Sequence, residues 1–415
     1  MPNIRGTVGD FRTTSKEDQA LLALLGALCG VVAAFVVDLY GPDPEPSTLT
    51  VTITQARATL LSALALVFTG LSIVLALTAL TTGNMANKFS PRFLRMKLRH
   101  SSDKWMLSAF VFTASFIVTS QILLRNRDGE ALAPPGMLYG STALVAITGA
   151  IIIVYIDSTL HSLRVDRAIR WIVRHIERAA KRHEHELRHD VVVSEIDVTA
   201  SSGSIDLVAR ENGYVVSIDT DRLDDLAMRQ GLDIVIETGI GAPVVRGERI
   251  GWVSAPTTLD DRDLSDILDC GVVAHDRDPD SDIGYTIHVL VDIGLMALSP
   301  AVNDPQTGVQ CIEALTQVFS DLAGQEIGIR TRVRADGTPS VVVRENTVGD
   351  WLDAAGRQLL LYGATDRTVT ASLLRLGREG ERAARSDRDR QLAAAFAVDV
   401  DAVRAAGAGS DGRAW

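Results

Sequence analysis

Four stretches of this chain are almost wholly apolar: residues 20–37, 56–79, 105–124 and 137–156. Each is near the ~20 residues that a helix rising 1.5 Å per residue needs to cross the hydrocarbon of a bilayer. Apart from Arg57 at the edge of the second, they carry no acidic or basic side chain, the groups that hydrocarbon penalises most. The pattern predicts a polytopic membrane domain over residues 1–160, built from four transmembrane helices.

Beyond residue 156 the periodicity changes. A polar continuation to about residue 188 places Leu163, Ile169, Ile172, Val173 and Ile176 at near-helical spacing, predicting a basic juxtamembrane helix over 161–190. Short β-rich runs follow at 191–193, 205–208, 214–218, 234–237, 244–245 and 250–253, with one helix inserted at 221–230. That helix opens at Asp219-Thr220-Asp221 and stops at Gly231. Helical patterns resume at 259–268, 283–298 and 305–322, the last started by Asp304 with Pro305 in its first turn. A hairpin over 330–344 turns at Asp336-Gly337, and helices fill 350–361, 366–378 and much of 387–406. The expected fold class is therefore a multi-domain α+β membrane protein. Its parts are the four-helix domain, the juxtamembrane helix, a small β module at 191–256, a helical domain with the hairpin at 257–385, and a C-terminal helix with a frayed tail at 386–415.

Charge orients these parts. Arg5, Arg12 and Lys16 precede the first run; Lys88, Arg92, Arg95, Lys97 and Arg99 follow the second; and Arg164, Arg167, Arg170, Arg174, Arg178, Lys181 and Arg182 follow the fourth. The other two loops have no such excess, so the positive-inside rule predicts a multi-pass protein of the bacterial cytoplasmic membrane with both termini cytoplasmic. Residues 1–189 hold 20 Lys and Arg against 14 Asp and Glu; residues 190–415 hold 21 against 38. An acidic second half argues against nucleic acid, whose phosphates demand a basic footprint. The expected partner of the basic collar is the lipid bilayer.

Composition excludes several chemistries. Lysine ends at Lys181, so the second half contains no P-loop, Schiff-base, biotinyl or lipoyl lysine. Cys29, Cys270 and Cys311 are scattered, form no CxxC, and suit a reducing compartment. His185-Glu186-Leu187-Arg188-His189 is a literal H-E-x-x-H, yet it lies in a solvated charged run with no third ligand behind it, so a solvated helix is expected. The acidic loop from Asp276 departs from an EF-hand at Ser281 and Ile287, which leaves Asp280 or Asp282 as a cap for the next helix. No metal or cofactor is expected, and no motif makes the chain an enzyme.

Three segments carry a family resemblance: Asn87-Lys88-Phe89-Ser90-Pro91-Arg92-Phe93-Leu94, Asn212-Gly213-Tyr214-Val215 with the stretch 241–253, and above all Ser299-Pro300-Ala301-Val302-Asn303-Asp304-Pro305-Gln306-Thr307-Gly308. Over roughly residues 15–380 the chain resembles a bacterial family of membrane proteins catalogued as domain of unknown function number 2254. The resemblance implies architecture without an activity. Gln306 stands where that family usually has an aromatic, and Gly308 where it usually has Ala.

The spacing of Gly241, Val244, Val245, Gly247 and Ile250 is similar to the hybrid motif of biotinyl/lipoyl-like β-sandwiches, here without the lysine. The best ligand or interface candidates are Ser299, Pro300, Asn303, Asp304, Pro305 and Thr307, with His288 and Asp292 four residues apart on the preceding helix and close enough to pair. Thr59, Ser62, Thr69 and Ser72 on the second span, and Ser108, Ser115 and Thr119 on the third, form hydroxyl stripes suited to a pore or to close helix packing. The leading expectation is a homo-oligomeric, channel- or transport-like assembly regulated by its cytoplasmic domain, with a small ligand or ion as a further partner. The alternative is a non-conducting membrane sensor or scaffold that binds a ligand or partner through that domain.

Overall fold

The computed structural model describes residues 5–410 apart from 41–50, 100–103, 126–131, 163, 187–189, 194–195, 197, 199, 201–202, 256–258 and 326. The chain divides into two compact units. The first comprises Met1–Asn87 and Leu94–Arg164; the second comprises Lys88–Phe93 and Val165–Trp415.

Among the described residues, helices α1 (Arg5–Tyr40), α2 (Ile53–Lys88), α4 (Lys104–Arg125) and α5 (Pro135–Ser162) contain four stretches long and apolar enough to cross a membrane. The short α3 (Pro91–Arg99) lies between α2 and α4 in the chain. Helix α4 is the inner one: 39% of its apolar window is buried, against 11% for α1. Ala56, Leu60, Val67 and Val74 form the covered spine of α2 and share a core with Phe110, Ile117 and Leu124 of α4.

Small residues set how close α1 and α4 approach. A Cβ on Gly26 would lie 2.7 Å from the Ser108 carbonyl oxygen. One on Gly30 would collide with the Phe112 carbonyl and lie 3.1 Å from Cβ of Ser115. This Gly-x-x-x-Gly step lets two backbones meet where lipid offers no hydrophobic drive to join them. Polar contacts add specificity. Thr113 and Thr148 hydroxyls meet at 3.0 Å. The Thr78 hydroxyl meets the Tyr155 hydroxyl at 2.5 Å. The Arg57 guanidinium, one turn into α2, donates to the Leu124 carbonyl at 3.0 Å. At that same end an isolated antiparallel bridge joins Thr52 to Leu132, and the Ala133 amide donates to the Val51 carbonyl.

In the second unit α6 (Val165–Glu186) is followed, among the described residues, by nine strands in two sheets. The strands are β1 (Val191–Val193), β2 (Ile205–Val208), β3 (Gly213–Ile218), β4 (Asp233–Ile236), β5 (Pro243–Val244), β6 (Arg249–Ser254), β7 (Gly271–Ala274), β8 (Ile329–Val333) and β9 (Pro339–Val343). The larger sheet has the order β1-β8-β9-β4-β6-β2, and the smaller β5-β3-β7. Residues 191–256 are thus not a self-contained biotinyl/lipoyl-like sandwich. The hairpin β8–β9 enters the same sheet through a parallel pairing of β9 with β4, in the register Ile234↔Val341, Val235↔Val342, Ile236↔Val343. Such a pairing joins segments about a hundred residues apart, and no local spacing announces it. The glycine-spaced stretch does adopt tight turns, with Gly241 at φ 83° and Gly247 at φ 89°, but it carries the chain from one sheet to the other.

Helices α7 (Thr220–Gln230) and α8 (Asp261–Leu268) cover one face of the larger sheet: Leu223, Ala227 and Ile267 pack on Ile234, Ile236, Val341 and Val343. Val235, Trp252, Ile329 and Val342 form the core of the other face. The remaining helices are α9 (Ile283–Leu298), α10 (Pro305–Leu322), α11 (Val348–Gly363), α12 (Arg367–Ala383) and α13 (Asp387–Ser410). Helix α9 is buried almost all round and packs against α6, α10 and α11. From the segment Lys88–Phe93, the buried Phe89 and Phe93 join this unit. The Phe93 ring meets Trp171 of α6 edge-on with centroids 6.0 Å apart.

Gly30→Leu should wedge α1 away from α4 and cost about 1–3 kcal/mol, the range for overfilling a packed contact. Gly149→Leu, where an added Cβ meets nothing within 4 Å, should be nearly silent. Thermal unfolding of the two variants in detergent, run side by side, checks this.

Candidate functional site

The Ser-Pro-x-x-Asn-Asp-Pro element is the turn between α9 and α10, and its polar groups are largely answered inside the turn. The Ser299 hydroxyl donates to the Met296 carbonyl at 2.7 Å. The Asn303 amide donates to the Ser299 carbonyl at 2.8 Å, and the Asp304 amide to the Ala297 carbonyl at 2.8 Å. Asn303 has φ 49°, a left-handed conformation that asparagine tolerates better than most residues, which suits it to the shape of the turn. Asp304 accepts from the Thr307 amide at 3.1 Å and from the Thr307 hydroxyl at 2.6 Å. Pro305 occupies the first helical turn, where its missing N–H removes no helical bond. Pro300 and Asn303 are exposed. The hydrogen bond from the Thr307 hydroxyl, then that from its amide, holds the Asp304 carboxyl below the ordinary carboxylate range.

His288 and Asp292 do not pair with one another. His288 Nδ1 lies 2.7 Å from the Gly284 carbonyl, one turn back, which fixes it as the protonated ring nitrogen. Asp292 binds Arg92 at 3.1 Å, so α9 ties the segment Lys88–Phe93 into this unit. Asp282 caps α9 by accepting from the Tyr285 amide at 2.7 Å and is clamped by Arg277 at 2.6 Å. The acidic loop therefore works as a helix start. His185 and Glu186 close α6 without described side chains, and His189 lies outside the described residues. Among the described residues no group of His, Cys, Asp and Glu is clustered for a metal ion.

The hydroxyl stripes of the first unit separate into two kinds. Ser108, Ser115 and Thr119 of α4 are partly or wholly covered, and two of them sit where Gly26 and Gly30 bring α1 closest. Thr59, Ser62, Thr69 and Ser72 of α2 are exposed.

One cavity of the second unit was not visible in the sequence. A cleft of about 680 Å³ opens between the loop following β4, the start of α9, the end of β9 and the first turns of α11 and α13. Glycines shape its walls: a Cβ on Gly239 would lie 2.6 Å from the Arg344 carbonyl oxygen, and one on Gly284 would lie 2.9 Å from the indole nitrogen of Trp351. His288 is the one earlier candidate that lines it. Arg344 and Trp351 were missed, because neither belongs to a motif and only the β4–β9 pairing brings them here.

Asp304→Ser keeps a cap but loses the bond to the Thr307 hydroxyl, whereas Asp304→Ala loses both. Alanine should cost about 1–2 kcal/mol and serine a measurable part of that. Because the folded carboxyl is depressed, its stabilisation is present above the unfolded value near 3.8 and fades as pH falls through the lower folded value. The gap in thermal stability between wild type and Asp304→Ala should therefore narrow as pH drops below 4.

Comparison with known proteins supports a membrane protein. The uncharacterized proteins Rv1290c of Mycobacterium tuberculosis (strain H37Rv) and Mb1321c of Mycobacterium bovis are each 27% identical to this chain over 328 residues. The alignment covers 78% of this chain and 63% of each relative, so the chain spans less than two thirds of the length of these proteins. No solved structure matches it. The predicted membrane protein family DUF2254 matches over residues 17–379, and the chain belongs to that family.

Proposed function

We propose that this membrane protein forms a homo-oligomeric, channel- or transport-like assembly in a bacterial cytoplasmic membrane, regulated by the unit that follows its spans. The observation that carries this reading is the hydroxyl row of α2. Thr59, Ser62, Thr69 and Ser72 each donate to the carbonyl four residues earlier, at 2.8–3.0 Å, and each keeps acceptor capacity on an exposed face. The opposite spine of α2 is already spent on the core of its own unit. A polar row outside a single subunit's core is useful to a second copy, or to a water-filled path between copies. Four spans are too few to enclose a wide path alone, so conduction requires assembly.

Orientation follows from charge and is supported by the chain's division. Lys88–Phe93 belongs with Val165–Trp415, so the loop after the second span and the segment after the fourth share one side, as two intervening crossings require. Their basic residues make that side the cytoplasm. Within the assembly, the 299–307 turn, where Pro300 and Asn303 are exposed, is the segment through which a neighbouring subunit would act. The cleft favours a second reading, a non-conducting sensor or scaffold that responds to a bound ligand.

Cysteine cross-linking tests the assembly. Cys270 and Cys311 are buried, and burial pushes both thiols up to about 12, so only Cys29 needs replacement. In a Cys29→Ala background, Ser62→Cys and Ser72→Cys should form cross-linked dimers in membranes, while Ala56→Cys on the covered spine should not. A monomer in both membranes and detergent would remove the channel reading and leave the sensor. For orientation, Thr52→Cys should react with a membrane-impermeant thiol reagent in intact cells, and Thr338→Cys only after permeabilisation. The reverse pattern would place the second unit outside.

A further inference from the structure

The cleft of the second unit is lined by four carboxylates and by the arginines Arg277, Arg344 and Arg388. Its four carboxylates are each engaged by an arginine: Glu237 by Arg249 at 2.9 Å, Asp282 by Arg277 at 2.6 Å, Glu345 by Arg330 at 2.8 Å and Asp350 by Arg388 at 2.7 Å. Arg344 is different. Its backbone amide continues the sheet by donating to the Ile236 carbonyl at 2.8 Å, and its guanidinium has no acidic partner among the described residues. Two further groups face the same space. The Trp351 indole N–H has no acceptor among the described residues, and His288, with Nδ1 committed to Gly284, keeps Nε2 unused.

We infer that this cleft is a binding site for a small phosphate- or carboxylate-bearing anion, with Arg344 as its charged anchor and the Trp351 indole as a second donor. Three arguments converge on it. A planar guanidinium offers paired donors that match an oxyanion, and it cannot lose its charge. The volume, about 680 Å³, falls in the range of small-molecule sites, which combine a pocket with a few convergent polar groups. The cleft also lies beyond the carboxyl ends of the parallel strands β4 and β9, the edge where open sheets containing parallel strands commonly take ligands. The paired arginines matter as well. They engage each carboxylate of the lining, Arg249 being shared with Asp206 and Arg330 with Asp190, while Arg344 has no acidic partner among the described residues and is the guanidinium open to an incoming ligand.

This inference deepens the ligand-responsive side of the reading above and does not depend on conduction or oligomer number. Cross-linking decides assembly; the following experiment decides the site. The full chain is reconstituted in nanodiscs of phosphatidylcholine, and thermal unfolding is followed against inorganic pyrophosphate at constant ionic strength. A parallel arm uses nanodiscs containing phosphatidic acid without soluble phosphate, which separates a lipid headgroup from a free anion. Wild type and the surface control Arg246→Gln should be stabilised saturably in one arm, with apparent affinity at least tenfold weaker in Arg344→Gln and reduced in Trp351→Phe. Should Arg344→Gln fail to fold, Arg344→Lys carries the comparison, since it keeps the charge but loses the paired donors. Weaker binding by the lysine variant supports the site. Equal responses in wild type and the Arg344 variants, or no response in either arm, overturn it.

Discussion

The parallel pairing of β4 with β9 is the constraint on which the second unit depends. Three residue pairs join segments about a hundred positions apart. Everything between them, including α9 and α10, is a long excursion that must return in register. A slip of one residue would exchange the faces of Val341, Val342 and Val343, which are all buried, and would set the wrong side chains against α7 and α8. The same pairing places the loop leaving β4 beside the residues leaving β9. Gly239 is therefore pressed against the backbone of Arg344, and the cleft exists at all.

A buried ionic cluster at the neighbouring edge makes the pairing of β1 with β8 hard to exchange. The Asp190 carboxylate is fully buried, accepts from the Thr220 hydroxyl at 3.2 Å and is held by Arg332, with Arg330 at 3.9 Å. Arg330, itself 4% exposed, reaches on to Glu345 at 2.8 Å. Buried pairs of this kind contribute little net stability over a well-packed apolar core, because desolvation offsets their attraction. Their weight is in discrimination. Any alternative pairing of β1 with β8 would leave a charge buried without its partner, which costs several kcal/mol. The cluster is thus a registry device for the strands that carry Glu345 and Arg344 to the cleft.

Parts of this architecture that rest on local physics were legible in the sequence. The spans, their basic flanks, the helix starts at Asp219 and Asp304, a cap for α9 at Asp280 or Asp282 that the structure assigns to Asp282, and the bounds of α9 and α10 follow from hydropathy length and from side chains that satisfy the next turn. Parts that rest on distant pairing were not. The runs at 191–253 and the hairpin at 330–344 look like separate pieces because each is a local β pattern; nothing in either names β4 and β9 as neighbours. The Gly26-Ala27-Leu28-Cys29-Gly30 step was overlooked for a different reason. In an apolar helix two glycines carry little signal, and only the approach of Ser108 and Ser115 shows what they admit.

The two candidate sites differ in one physical respect, and that difference decides their roles. In the 299–307 turn the groups that might have met a ligand meet one another: the carboxylate of Asp304 already accepts from both donors of Thr307, and the amides of Asn303 and Asp304 close on carbonyls of the turn. A ligand there would have to break bonds whose loss leaves the helix start uncapped, so its affinity would be drawn against the stability of α10. In the cleft the balance is opposite. The carboxylates are engaged by arginines that hold the walls, and the capacity left over belongs to Arg344 and Trp351, whose side chains make no hydrogen bond or ion pair among the described residues. Binding at the cleft therefore adds interactions where binding at the turn would exchange them. That asymmetry is why the most distinctive segment of the sequence builds the frame, while two residues outside any motif hold the site.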